Sequence, residues 1–358
     1  MWWSRLLPAL LLTGCNTASY QSQVLDSPVV PFEELFDLAD TIRLDPSIII
    51  GQISFLDVNQ EGSFLVADLV GRSVHLFSSS GEHIRPYPVP ECLPDDAENY
   101  SPFSSRFLGN DYVVVMAFNG AVSVFSTDGR CIEATRRISK PSFGFCTSND
   151  SILFLGPPWP VRNSVEEPAI IIYSPELHKL GEVPVKWPEF PVLNMGRGGI
   201  VGRNIDCFSD GPFYIYLGSM DAIPVRSSGN ILRQRPEFYE QRPRDLSPDM
   251  SLDAKREEWN NYITTDGIFA LDGHTRMLVY RNIDDRWLPE GAEDLYLYRG
   301  VSIASNKGEF SSLSTISSFV PLAAGYGYLY GQADPELLPD GDIGNPLILR
   351  YRFIRPKF

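Results

Sequence analysis

Few of the residue arrangements that enzymes use occur in this chain. Its four histidines, His75, His83, His178 and His274, form no HxH or HExxH pattern, and none stands beside a cysteine at zinc-ligand spacing. A zinc site is therefore not expected. No GxSxG turn raises a serine nucleophile. The Gly-rich stretch Met195–Arg203 (MGRGGIVGR) misses both the GxxxxGK[ST] and the GxGxxG phosphate loops. It reads as a loop whose glycines permit positive φ. If that loop lines a channel, Arg197 and Arg203 offer guanidinium forks for a carboxylate or phosphate. Asp57, Asn149, Asn204, Asp206 and Asp266 supply hard oxygen donors of the kind Ca²⁺ takes, although Asp57, Asn149 and Asp206 adjoin turns, where Asx side chains normally serve the backbone. Trp159, Trp187, Phe190, Tyr239 and Trp259 stand in or near irregular segments. Singly, such rings cap a core beneath a loop. As a set they nominate residues 156–168 and 187–262 as a binding rim, with Trp159, Arg197, Arg203, Tyr239 and Trp259 as its candidate contacts.

Composition narrows the classes further. The 358 residues are 43% hydrophobic and carry a net charge of −15, enough apolar material for a sizeable core and the wrong charge for a nucleic-acid partner. The 28 glycines and 29 prolines suit short strands and many turns. At the N-terminus, MWWSRLLPALLLTGC places Arg5 before a short apolar run, Leu6 to Leu12, too short to span a bilayer and suited to an export signal. Leu12-Thr13-Gly14-Cys15 resembles a bacterial lipobox. That resemblance implies a signal peptide over 1–14, diacylation of Cys15, and a lipidated tether over 15–37. Export permits oxidation of the remaining cysteines, Cys92, Cys131, Cys146 and Cys207, whose three complete pairings stay open, as does their being small apolar strand residues.

The elements that would carry any site are strands. Gly51 to Tyr87 holds runs of β-branched and aromatic residues broken by Gly, Asn and Ser turns, the pattern of antiparallel hairpins. VHLFSSSGEHI around Phe77 returns as VSVFSTDGRCI around Phe125 and IIIYSPELHKL around Tyr173, a spacing of 48 (125 − 77 and 173 − 125). Four strands in about 40–50 residues describe a propeller blade. Weaker copies extend the series to six units, at 51–88, 103–140, 142–187, 198–234, 260–306 and 313–355. Asp40–Leu44 is then an orphan strand that can complete the last blade and close the ring. A Pro-rich loop, 156–168, interrupts the third unit. The segment 232–261 reads as an insertion holding a capped short helix that starts near Ser247-Pro248-Asp249.

The blade Gly51–Tyr87, with LVADLVGRSVHLF before a Gly turn, resembles an NHL-type repeat. With the lipobox, the whole is similar to six-bladed β-propeller lipoproteins of Gram-negative bacteria. The resemblance implies an all-β, six-bladed propeller over 38–358, built of four-stranded antiparallel blades and closed by an N-terminal strand. It also implies a place in the cell envelope: Asn16 after the lipidated cysteine fits passage to the outer membrane, with the domain on its periplasmic or surface face. The leading expectation is a binding module that recognises a protein or glycan partner or another extracellular ligand and performs no catalysis, with acyl chains on Cys15 as the membrane contact. No cofactor is expected under it. The alternative is a lactonase- or gluconolactonase-type hydrolase that uses Ca²⁺ in the propeller channel.

Overall fold

A computed structural model describes residues 22–92, 101–135, 138, 144–148, 150–156, 169–185, 203–209, 211–215, 221–225, 231–238, 264–281, 283, 285–288, 298–305, 312–336 and 343–354. The chain opens with strand β1 (Ser22–Ser27), a short helix α1 (Phe32–Leu35) and β2 (Phe36–Arg43). The first blade follows as β3 (Ile53–Val58), β4 (Phe64–Asp68), β5 (Ser73–Phe77) and β6 (His83–Tyr87), then a helical turn α2 (Val89–Cys92). The second holds β7 (Pro102–Leu108), β8 (Tyr112–Ala117), β9 (Val122–Ser126) and β10 (Cys131–Thr135). The third holds β11 (Phe145–Ser148), β12 (Ser151–Gly156), β13 (Ala169–Tyr173) and β14 (Lys179–Pro184). The fourth holds β15 (Ile205–Phe208), β16 (Gly211–Tyr214), β17 (Asp221–Pro224) and β18 (Ile231–Pro236). The fifth holds β19 (Thr264–Ala270), β20 (Thr275–Arg281), β21 (Arg299–Ser305) and β22 (Ser312–Ser317). The last holds β23 (Pro321–Gly325), β24 (Tyr328–Ala333) and β25 (Leu347–Phe353), and β2 completes it.

The sheets are six antiparallel blades of a β-propeller. Closure is as expected: β2 pairs antiparallel with β25, Phe36 opposite Phe353 and Arg43 opposite Leu347, so the outermost strand of the last blade comes from the start of the chain. Strands β3, β7, β11, β15, β19 and β23 neighbour one another around the axis.

Period-two alternation explains the stacking. In β4, Phe64 and Val66 face the last blade while Leu65 and Ala67 face the second. In β8, Val113 and Val115 turn to the first blade and Val114 and Met116 to the third. Each blade seam thus has its own apolar cluster, and each fully buried Phe, Val or Ile contributes roughly 1.5–3 kcal/mol. Two disulfides cross seams. Cys92–Cys131 (Cα–Cα 5.7 Å) ties α2 to the outer strand of the second blade, and Cys146–Cys207 (Cα–Cα 5.6 Å) joins the inner strands of the third and fourth.

Three boundaries differ from the sequence reading. The segment expected as a tether, 15–37, contains β1, which lies parallel to β18 as a fifth strand of the fourth blade, and α1, which packs on the last blade. The segment 312–317 closes the fifth blade, not the sixth. The insertion expected at 232–261 begins inside β18, so the connection between the fourth and fifth blades is 237–263. The expected helix near Ser247 lies outside the described residues.

Candidate functional site

The channel is the first place to look, because inner strands of all six blades converge there. Arg203, immediately before β15, is 1% exposed. Its side chain crosses the axis. Nη2 donates to Leu56 O in the first blade and to Leu322 O in the last (3.0 Å). The guanidinium lies over the rings of Phe55 (3.9 Å) and Phe269 (4.8 Å). Burial lowers its pKa to about 9, and the neighbouring charge of Arg106 lowers it too, while Asp57 and Asp206 oppose the shift. Gly267 belongs to this packing, since a Cβ there would stand 2.9 Å from Arg203 Cβ.

Arg106, on β7, completes the network. Its Nη1 donates to Asp206 Oδ1 (2.8 Å) and stands 3.9 Å from Asp57 Oδ1, and Nη2 donates to Ile205 O (3.3 Å). The remaining carboxylate lone pairs go to backbone: Phe107 N to Asp57 Oδ2 (3.0 Å), Ala270 N to Asp206 Oδ2 (2.8 Å) and Cys207 N to Asp206 Oδ1 (3.1 Å). Burial raises the pKa of Asp57, with Arg106 and Arg203 pulling it back. Two guanidiniums and two carboxylates balance, and each is bonded to protein, as buried charges must be. The arrangement welds the ring.

Asp266 forms a separate cluster within the fifth blade, between Arg281 (3.1 Å) and Arg299 (3.1 Å), its pKa also raised by burial. The carboxylates weighed as calcium ligands therefore stand in two groups, each against arginine. Guanidinium cannot ligate a cation; Asp57 Oδ2, both Asp206 oxygens and Asp266 Oδ2 accept from protein donors, and Asp57 Oδ1 and Asp266 Oδ1 stand 3.9 and 3.1 Å from a guanidinium. This donor set does not fit Ca²⁺, and among the described residues no group of three or more acidic, His or Cys side chains could hold a metal. Asn204 stands beside this network with its Oδ1 buried. Asn149 lies outside the described residues.

His83 is half-buried: His75 Nδ1 is 3.2 Å from His83 Nε2, and Ser73 Oγ is 2.7 Å from His75 Nε2. His178 is exposed.

The two faces of the ring are unequal. On one, where each inner strand begins, the connections run over 93–101, 157–168, 185–204, 237–263, 282–298 and 334–346. On the other they are mostly tight turns, such as 59–63, 109–111, 127–130, 149–150 and 326–327, and the longest are 225–230 and 306–311. The long-connection face also exposes Ile49 (85%), Val70 (67%), Ile343 (72%) and Phe118 (48%), contributed by the last, first and second blades. Of the candidate contacts, Trp159, Arg197, Tyr239 and Trp259 belong to connections that leave from this face and lie outside the described residues. So do Trp187 and Phe190; Cys15 also lies outside the described residues. Arg203 is removed from this set by its burial. Arg106 was not among the candidates, although an arginine at an alternating position within PFSSRFL was its signal.

No protein-family model matches the chain, and no curated protein matches it by sequence. Among solved structures, it is similar to an exported protein from Bacteroides fragilis, with a TM-score of 0.62 and 11% identity over 93% of this chain and 100% of that one. It is also similar to a member of the DUF4221 family from Bacteroides vulgatus, with a TM-score of 0.56 and 12% identity over 90% of this chain and 100% of that one. At these identities the likeness establishes the fold. The chain is a six-bladed β-propeller.

Proposed function

We propose that this protein is a lipid-anchored, extracytoplasmic binding module that meets a protein partner on its long-connection face and performs no catalysis. The observation that carries the reading is the asymmetry of the ring. Every extended connection leaves from one face, together with four exposed apolar side chains, while the channel charges are consumed by one another. Variable loops on a rigid scaffold are where propellers carry recognition, and the exposed apolar side chains give that face surface to bury against a partner. Two disulfides and the Leu12-Thr13-Gly14-Cys15 signal support an exported, acylated chain. The likeness to a protein described as exported accords with that placement.

Photo-crosslinking in the native host tests it. A benzophenone amino acid at Val70 or Phe118 is expected to give discrete protein adducts, and the same group at Glu61 or Glu176, on tight turns of the opposite face, none. Adducts from both faces alike would refute a dedicated binding face. Incorporation of an alkyne fatty acid, abolished by Cys15→Ala, tests the anchor separately.

A further inference from the structure

The outer hairpin of the first blade brings together two side chains that no zinc-ligand spacing pairs. His83, at the start of β6, stands opposite Phe77, and His75 lies two residues before Phe77 on β5. Alternation puts Ser73, His75 and Phe77 on one face of the blade, the face that Phe77 packs toward the last blade. The imidazoles meet there: His75 Nδ1 is 3.2 Å from His83 Nε2, and the other nitrogen of His75, Nε2, is 2.7 Å from Ser73 Oγ. His75 is buried, whereas Ser73 and His83 are half-buried and open the pair to solvent. At the same hairpin positions the second blade has Ser123 and Cys131, and the third has Ile171 and Lys179. The hairpin therefore folds without histidines, and its repeat does not account for the pair in the first blade.

We propose that His75 Nδ1 and His83 Nε2 form a two-histidine site for a tetrahedral divalent cation, Zn²⁺ by ligand type. Distance selects the geometry. With Zn–N bonds of about 2.0–2.1 Å, two ligands of a tetrahedron stand about 3.3–3.4 Å apart, against about 2.9 Å for neighbours in a square plane. The 3.2 Å between the two nitrogens is nearer the first. Ser73 supplies the outer contact that a ligating imidazole uses. His75 carries its N–H on Nε2, donates it to Ser73 Oγ, and keeps the Nδ1 lone pair for the ion. His83 holds its proton on Nδ1 in the bound form, so the ion takes the place of the N–H between the rings and no proton is released. The carboxylates of Asp45 and Asp68 act electrostatically on His83 and His75 and offset the charge of the ion. They stay outside its shell, because Asp45 accepts from Ser47 N and His83 N, and Asp68 from Gly51 N, Gln52 N and Val70 N. Water completes the coordination. The site ties β5 to β6 beside the point where Asp45 N donates to Gly81 O (2.9 Å), as the chain leaving β2 docks on the first blade. Its role is to brace the closure of the ring, and it is independent of the proposed binding face.

The test is titration of the whole protein with Zn²⁺ and Co²⁺, with Cys15→Ala throughout so that its thiol does not compete. Zn²⁺ is expected to raise the urea midpoint reversibly with EDTA, and Co²⁺ to give the intense visible absorption of a tetrahedral site, which Zn²⁺ displaces. His83→Gln should lose both responses. Ser73→Ala should weaken the affinity about 10–100-fold, and His178→Gln and His274→Gln should leave it unchanged. Urea midpoints in EDTA show whether each variant folds, which separates loss of binding from loss of structure. Ring-nitrogen NMR of the protein without any histidine substitution gives a second reading: Zn²⁺ is expected to shift two of the four histidines. No response to either ion at millimolar concentration, survival of both responses in His83→Gln, or a shift confined to His178 or His274 overturns the site. Unchanged affinity in Ser73→Ala overturns the assigned tautomer and with it the geometry.

Discussion

Replacing Arg203 with Met tests whether the channel network holds the ring closed. Met keeps an unbranched apolar stem over Phe55 and Phe269 and removes the guanidinium. Leu56 O and Leu322 O lose a buried donor, at about 1–3 kcal/mol for each group left unmet. Asp57 and Asp206 are left with Arg106 alone, and breaking a buried pair by removing one partner costs about 3–5 kcal/mol. These terms overlap, so a net loss of about 4 kcal/mol is expected. The assay is equilibrium urea unfolding under non-oxidising and non-reducing conditions, followed by tryptophan fluorescence and circular dichroism. With a slope of about 3 kcal/mol/M, the midpoint falls by about 1 M. Asp57→Asn in the same background removes the carboxylate charge that Arg203 no longer balances. The double variant is expected to recover about 1–3 kcal/mol relative to additivity. An Arg203→Met protein within about 1 kcal/mol of wild type, or strict additivity with Asp57→Asn, would refute the claim that these charges form one weld.

Other expectations follow from single features. His75, whose pKa burial and the neighbouring His83 lower to about 4, takes its proton in the unfolded chain first. The stability this gives is complete above pH 6.5 and is lost as pH falls toward 4, by on the order of 3 kcal/mol. Urea midpoints across that window should show His75→Gln losing most of the slope. The raised carboxyls of Asp57 and Asp266 act in the opposite sense, since their native forms take protons first as pH falls. Serine in place of both Cys146 and Cys207 should destabilise by about 2–4 kcal/mol, given the loop of 61 residues that the bridge closes; a change below about 1 kcal/mol would mean the bridge adds little. Ser27→Ala, which strips a buried hydroxyl from the cluster with Ser302, Ser312 and Ser314, should cost about 1–3 kcal/mol. Lysine at Ile84, Ile132 or Leu180 should leave stability within about 0.5 kcal/mol, because each is the bulged, exposed residue of its outer strand; a large loss at any one would contradict its register.

Those last three residues show why the first half of the chain was readable. Ile84, Ile132 and Leu180 recur at the same 48-residue interval as Phe77, Phe125 and Tyr173, because in the first three blades the outer hairpin repeats in register around turns 78–82, 127–130 and 174–178, while longer and shorter connections elsewhere, 157–168 against 118–121 and 136–144 against 88–101, offset one another. The later blades lose that signal for physical reasons. Their connections, 237–263 and 282–298 among them, vary in length independently of the strands. β22 is SLSTIS, whose serines bond to Ser27 of β1 and leave little apolar alternation to detect. β1, SQVLDS, is polar for the same reason: it lies on an outer edge, where one side faces water, and nothing in its own sequence says that a seam is waiting for Ser27. The channel was half legible. Asp57, Asp206, Asp266 and Arg203 were singled out by type and placement, but their pairing depends on which blades face each other across the axis, and that is set only when the ring closes.

Closure also bears on function. A propeller that uses its channel for chemistry must keep the axis open to a substrate. Here the opposite investment is made: a fully buried arginine spans the axis, its charge is balanced within the protein, and aromatic rings cover it. Disulfides fix two seams, and the segment from β1 to α1 fixes the seam between the fourth and fifth blades and continues onto the last. The ring is thereby stiffened at its seams and its centre, and the long connections are the part of the chain free to vary. Rigid support beneath variable loops lowers the ordering cost of binding, so the filled channel and the uneven faces are two parts of one arrangement under the proposed function: an interior that serves stability and one elaborated face offered for recognition.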